Sequence, residues 1–155
     1  MALSIEKQIE ELNELIRFDY DAIGAYHSAI DDISEIAVRQ PLTQFRGDHE
    51  RHVVDLAAIV RRLGGSPVES PGLKGIIRKT MTKVAGLGGT ELTLKAMRSN
   101  EEVLNKTYAH HLSLDFPDDI KEVIRRNYSD EQRHLAWVEQ ALQNRLWETG
   151  AGAHP

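Results

Sequence analysis

The chain has 155 residues, 41% of them apolar and 28% charged, and a formal net charge of −5. That is the make-up of one globular domain, long enough to bury a core, and its acidity argues against nucleic acid, which selects basic surfaces. With no cysteine, disulfides, thiolate catalysis and sulfur-ligated zinc or iron–sulfur sites are excluded, so any metal must be held by oxygen and nitrogen.

No stretch approaches the roughly 20 apolar residues of a membrane span, and Met1 to Glu11 lacks the basic-then-apolar layout of a signal peptide. A cytoplasmic location is the resulting expectation.

From Ile5 the apolar residues recur at steps of three and four: Ile5, Ile9, Leu12 and Ile16, then Ile23, Tyr26, Ile30, Ile33 and Ala37. This is the stripe of an amphipathic helix, expected over about 4–38, with Asp19 on the same register. Gln40-Pro41 is read as the break, since proline disfavours helical geometry in the residue before it and suits a helix's first turn. A second helix is expected over 41–63, ending at Gly64-Gly65, and its stripe is Leu42, Phe45, His49, His52, Leu56, Ile59 and Leu63.

Residues 64–89 hold seven of the eleven glycines and two of the five prolines, with Lys74, Arg78, Lys79 and Lys83 making the stretch basic. They read as a long crossover carrying a short helix near Leu73 to Val84. A third helix is expected over 90–115, with Thr90 as N-cap and the stripe Leu94, Met97, Glu101, Leu104, Tyr108 and His111. A fourth, over 117–147, opens at Pro117-Asp118-Asp119 and runs through Ile120, Ile124, Asn127, Glu131, His134, Val138 and Leu142. The domain then spans 1–148 and residues 149–155 form a small, polar, frayed tail. Two short links and one long one give an all-α chain, a four-helix bundle with a single long crossover between helices two and three.

Six acids and histidines occupy stripe positions near mid-helix: Asp19, His49, His52, Glu101, Glu131 and His134. Burying any one of them without a partner costs several kcal/mol or so, which favours their convergence. They also repeat. Asp19 is followed after seven residues by Tyr26 and after thirty by His49-Glu50-Arg51-His52; Glu101 is followed after seven by Tyr108 and after thirty by Glu131-Gln132-Arg133-His134. Equal spacings set the members at comparable heights, and a three-residue step puts both side chains of a pair on one helix face. Tyr26 and Tyr108 lie two turns beyond their acids and read as packing neighbours of the site. Arg51 and Arg133 read as outer ion-pairing residues, while His111 sits on the stripe nearer a bundle end.

Glu131-x-x-His134 with Glu101 on the preceding helix resembles half of a ferritin-like di-iron carboxylate site, which takes one Glu from each of two helices and a Glu-x-x-His from each of the others. The resemblance covers the four helices. With the ending YSDEQRHLAWVEQAL it is nearest to an uncharacterised bacterial ferritin-like family of unknown function. It implies a ferritin-like four-helix bundle and a metal site of Asp19, His49, His52, Glu101, Glu131 and His134. One or two iron ions are the expected cofactor, with manganese or zinc compatible. The first half departs from that pattern: Asp19 stands for a longer Glu, and His49 stands for the bridging Glu. Glu50 is a neighbouring carboxylate that could swing in.

Two functions remain open: a metalloprotein whose centre reacts with oxygen or peroxide, an iron-dependent oxidoreductase if an enzyme, or a structural or stress-associated bundle with a degenerate, metal-free site. Partner or nucleic-acid binding through the basic crossover has only that segment in its favour. Trp137 and Trp147 leave a homodimer open.

Overall fold

The computed structural model describes residues 2–69 and 81–148. Four long helices dominate it: α1 (Ile5–Asp32), α2 (Ile36–Arg62), α3 (Thr90–Ser113) and α4 (Asp118–Gln143). The described residues contain no strand, and none of their helices is long and apolar enough to cross a membrane.

α1 is capped by Ser4, whose hydroxyl oxygen accepts from the Lys7 backbone N–H at 3.1 Å. It ends earlier than its periodicity predicts. Asp31 and Asp32 sit at the negative end of the helix dipole, and Ile33 turns extended (φ −104°, ψ 129°) while burying its side chain. The chain re-enters helix at Ile36, on the Glu35 carbonyl that accepts from the Val38 and Arg39 N–H groups. The break therefore falls at 33–35, not at Gln40-Pro41. Pro41 lies inside α2, which carries through it because Val38, Leu42 and Phe45 on either side are packed into the core.

α2 stops where the glycines predict. Gly64 has φ +90°, its N–H bonds the Arg61 carbonyl, and the Gly65 N–H bonds the Val60 carbonyl, the paired bonds of a Schellman cap. Two other ends differ from expectation. Gly89, not Thr90, caps α3: its carbonyl accepts from Thr93, while the Thr90 hydroxyl donates to Glu35 Oε1 at 2.6 Å. α4 halts at Gln143, and Arg145 (φ 47°) kinks the chain before residues 146–148 turn helical again.

α1 packs along α2 and α3, and α4 packs along the same two from the opposite corner. Tyr26 of α1 meets Glu101 of α3 while Asp19 meets Tyr108, so these helices run antiparallel; Asp48 to His134 and His52 to Asp130 say the same of α2 and α4. With antiparallel α1–α2 and α3–α4 hairpins, α2 and α3 must then be parallel. A 27-residue helix is about 40 Å long, so the chain needs a crossover that climbs the whole bundle.

That crossover is gripped by asparagines at both described ends. Asn13 on α1 donates to the Ser66 carbonyl and accepts from the Val68 N–H; Asn100 on α3 accepts from the Thr82 N–H and donates to its carbonyl. Met81 packs with Phe18, Ala22 and Leu104 along the α1–α3 seam. The short helix expected near Leu73 to Val84 lies outside the described residues as far as position 80, and residues 81–84 are not helical. The tail 149–155 also lies outside them.

Besides the small seam cluster around Met81, the apolar core comes in two large blocks. One gathers Tyr26, Ile30, Ile33, Leu42, Phe45, Leu94, Met97 and Val138; the other gathers Leu12, Leu15, Ile16, Leu56, Val60, Tyr108, Ile120 and Ile124. Between them lies a polar layer.

Two glycines test the backbone reading with opposite signs. Gly64 has open space around it but a left-handed φ, so Gly64→Ala should cost about 1–2 kcal/mol in chemical denaturation. Gly47 is exposed inside α2 with nothing near a new Cβ, and Gly47→Ala should stabilise by about 0.5–1 kcal/mol.

Candidate metal centre

The six mid-helix acids and histidines meet at mid-bundle, and each is 0% exposed: Asp19 from α1, His49 and His52 from α2, Glu101 from α3, Glu131 and His134 from α4. Each projects inward for the reason given by its register, in the gap between the two apolar blocks. Glu50 remains exposed on the far side of α2 and takes no part. His111 is buried elsewhere, its Nδ1 2.8 Å from the Thr107 carbonyl and its Nε2 3.1 Å from Glu11 Oε1.

The layer has a two-fold pattern. In one half, Asp19 Oδ1 lies 2.8 Å from His49 Nδ1 and 3.1 Å from His52 Nδ1. In the other, His134 Nδ1 lies 3.1 Å from Glu131 Oε2 and 3.4 Å from Glu101 Oε2. His49 Nε2 points across the divide at Glu131 Oε2 (3.4 Å) and Glu101 Oε2 (3.6 Å). The tyrosines tie the halves together. Tyr108 donates to Asp19 Oδ2 at 2.5 Å and Tyr26 donates to Glu101 Oε2, so each phenol serves the acid of the other repeat.

A ring of charge that the stripe does not mark lies just outside. His52 Nε2 is held by Asp130 at 2.9 Å, and His134 Nε2 by Asp48 at 2.8 Å. Arg51 bonds both Asp48 and Asp130, and Arg133 does the same. The outer ion pairing expected of the two arginines is therefore present, with aspartates that neutralise it. The signal was in the repeat: Asp48-His49-Glu50-Arg51-His52 against Asp130-Glu131-Gln132-Arg133-His134. Reading only the buried stripe leaves out Asp48 and Asp130, because they sit one residue to its side.

Burial alone pushes every carboxyl in the layer up and every imidazole down. Around Asp19 the His52 and His49 imidazoles overturn it and hold the acid well below its usual range; His134 and His49 do the same for Glu101. Glu131 stays raised, because burial and the Glu101 charge outweigh His49 and His134. Against burial, Asp48, Glu101 and Glu131 carry His134 up to about 10, and acids likewise raise His49 and His52. Outside the layer, burial is again overcome as His134 and Arg133 depress Asp48, and His52 and Arg133 hold Asp130 to about 2. Burial and the facing carboxylates raise both tyrosines well above their ordinary range, so they remain donors.

The donor set suits a hard or borderline cation. Two overlapping groups, Asp19, His49, His52 and Glu131, and His49, Glu101, Glu131 and His134, each bring four ligand atoms within 4.8 Å of one another. Coordination bonds of about 2.0–2.2 Å to nitrogen and oxygen are within reach of small side-chain adjustments. Two observations fit such an ion. His49 Nε2, Glu101 Oε1 and Glu131 Oε1 are buried without a hydrogen-bond partner. And Asp130 and Asp48 fix the outer nitrogens of His52 and His134, leaving both Nδ1 atoms turned to the centre, the carboxylate–histidine arrangement that orients metal ligands.

The chain belongs to the family described as Domain of unknown function (DUF2383), which matches residues 7–113. That span holds Asp19, His49, His52 and Glu101, and stops before α4. No curated protein sequence matches the chain. Among solved structures, the fold is that of the bacterioferritin of Desulfovibrio desulfuricans, with TM-score 0.76, 20% identity and coverage of 90% of this chain and 80% of that one. A ferritin-like, diiron-carboxylate protein from Bacillus anthracis gives TM-score 0.69 and 22% identity over 92% of this chain and 99% of that one. A dodecameric thioferritin from Bacteroides fragilis gives 0.77 and 14% over 98% and 94%. At these identities the likeness establishes a ferritin-like four-helix bundle for this DUF2383 chain.

The charge layer predicts how the metal-free protein answers to pH. Carboxyls depressed in the fold contribute stability above about pH 4 and lose it as pH falls towards 2. Raised imidazoles contribute fully below about pH 6.5, and His134 loses its share as pH climbs through about 10. Thermal melts of chelator-treated protein should therefore peak between roughly pH 4.5 and 6.5 and decline on both sides. A Tm that rises from pH 6.5 to 9 would refute the assignment of protonated histidines.

Proposed function

We propose that the bundle centre is a metal site, binding one or two divalent transition ions, with iron the first candidate and manganese and zinc compatible with the same ligands. The proposed ligands are Asp19, His49, His52, Glu101, Glu131 and His134. The observation that carries this reading is the pair of aspartate-held imidazoles: Asp130 on His52 Nε2 and Asp48 on His134 Nε2, with both Nδ1 atoms facing inward. Without metal the outer acid satisfies the second N–H of a buried imidazolium; with metal it fixes the tautomer that leaves Nδ1 free for the ion. The named neighbours, a bacterioferritin with a diiron site and a ferritin-like diiron-carboxylate protein, support iron as the first choice.

Bound iron would supply redox chemistry towards oxygen or peroxide, and any enzymatic activity would be that of an iron-dependent oxidoreductase. The chain's own contribution is electrostatic and positional. Asp48 and Asp130 orient the imidazoles and raise their basicity, while Arg51 and Arg133 hold the aspartates. Tyr26 and Tyr108 donate to one oxygen each of Glu101 and Asp19, which fixes the rotation of both carboxylates. Phe45 lies over His134 with ring centroids 4.3 Å apart and screens that edge from water.

One observation favours a second reading, a structural bundle with a degenerate, metal-free site: three carboxylates face three imidazoles, which balance without a cation. Loading separates the two. Chelator-treated protein incubated anaerobically with iron(II) and desalted should retain metal by elemental analysis, and an ion in hundredfold excess over its Kd should stabilise the fold by about 2.7 kcal/mol. Asp48→Asn or Asp130→Asn should weaken binding about 10- to 100-fold with the helical content unchanged. If iron, manganese and zinc all fail to bind, and His52→Leu with Glu131→Leu raises the Tm, the metal-free reading holds.

A further inference from the structure

We infer that His49 is a bridging ligand, its Nδ1 serving an ion shared with Asp19 and His52 and its Nε2 a second ion shared with Glu101 and His134. The inference rests on the metal reading above and concerns how many ions the centre holds and how they are joined.

The three imidazoles of the layer are not equivalent. His52 and His134 each commit one nitrogen to an outer aspartate and offer only the other. His49 has no such aspartate. Its Nδ1 faces Asp19 Oδ1 at 2.8 Å, and its Nε2 faces Glu131 Oε2 and Glu101 Oε2 at 3.4 and 3.6 Å without forming a hydrogen bond to either. Both nitrogens are thus directed at acids, one in each half of the layer. Glu131, at the matching position of the other repeat, also looks both ways: Oε2 towards His134 Nδ1 at 3.1 Å, and Oε1 towards His52 Nδ1 at 3.9 Å. The two cation-competent groups share these two residues and no others.

Charge points the same way. Asp48 and Asp130 are matched by Arg51 and Arg133, so the outer ring is neutral by itself. Inside it, Asp19, Glu101 and Glu131 carry three negative charges. Two divalent ions would leave one uncompensated positive charge in a layer that excludes water, which is costly. Binding at both nitrogens of His49 releases its ring protons to solvent and leaves an imidazolate, which supplies the fourth negative charge. Both ions then have four protein ligands, and the buried layer is neutral. An imidazolate spans a wider gap than a carboxylate, so the two ions sit farther apart than a pair joined by carboxylates alone.

Copper(II) is the probe, because two copper ions joined through an imidazolate couple their spins. Metal-free protein titrated with copper(II) should take up two ions per chain and show an electron paramagnetic resonance signal well below two full spins. His49→Gln, folded as judged by circular dichroism, keeps Glu131 and should bind one ion, or two with full spin intensity. His49→Glu replaces the ring by a carboxylate and should retain two ions at a shorter separation, read from X-ray absorption. Wild-type protein that binds one copper, or two without coupling, overturns the bridge while leaving the metal site standing. Coupling that persists in His49→Gln also overturns it, assigning the bridge to Glu131 alone. Wild-type protein that binds no copper, iron, manganese or zinc overturns the metal reading itself.

Discussion

The structure turns on one constraint: ionisable groups from all four helices are buried in a single layer and must satisfy one another. Asp19, Glu101 and Glu131 face His49, His52 and His134 where no water can screen them. Removing one member leaves its partner an uncompensated buried charge, at a cost of roughly 3–5 kcal/mol. That penalty sets the helix register more tightly than the apolar blocks above and below, since leucines and isoleucines tolerate sliding and repacking far better. A one-turn shift of α4 would move His134 away from Asp48 and Glu131 away from His49 together.

The two-fold repeat gives the layer its economy of design. Each hairpin contributes an acid on its first helix, a tyrosine two turns on, and an aspartate, arginine and histidine on its second. Four of their hydrogen bonds run from one hairpin to the other. Tyr26 serves Glu101, Tyr108 serves Asp19, Asp48 serves His134 and Asp130 serves His52. The hairpins are cross-linked by their polar groups, so docking and assembly of the centre are one event. Where the halves differ, at His49 against Glu131 and Asp19 against Glu101, the centre becomes asymmetric.

Much of this was legible in the sequence, because a buried charge violates an apolar stripe conspicuously. The six central residues, the bundle and the crossover all followed from periodicity and spacing. What was missed lay off the stripe or depended on another hairpin. Asp48 and Asp130 face sideways, towards a neighbouring helix rather than the core, and periodicity carries no signal for that. Tyr26 and Tyr108 read as packing neighbours two turns beyond their own acids, whereas antiparallel packing brings each into a hydrogen bond with the other's. Pro41 reads as a helix breaker, but the buried Val38, Leu42 and Phe45 outweigh one missing N–H, and the break goes to Ile33, where two aspartates crowd the negative end of α1.

In the proposed function this layer holds metal at the inward nitrogens of His52 and His134. Anomalous diffraction from crystals of iron-loaded protein, collected on both sides of the iron edge, addresses it directly. A metal centre there gives a peak at mid-bundle within coordination distance of His52 Nδ1 or His134 Nδ1, with Asp130 and Asp48 still holding the Nε2 atoms. An iron-loaded crystal whose only peaks lie on the surface, with Asp19, His49 and Glu131 in direct contact at the centre, would contradict it.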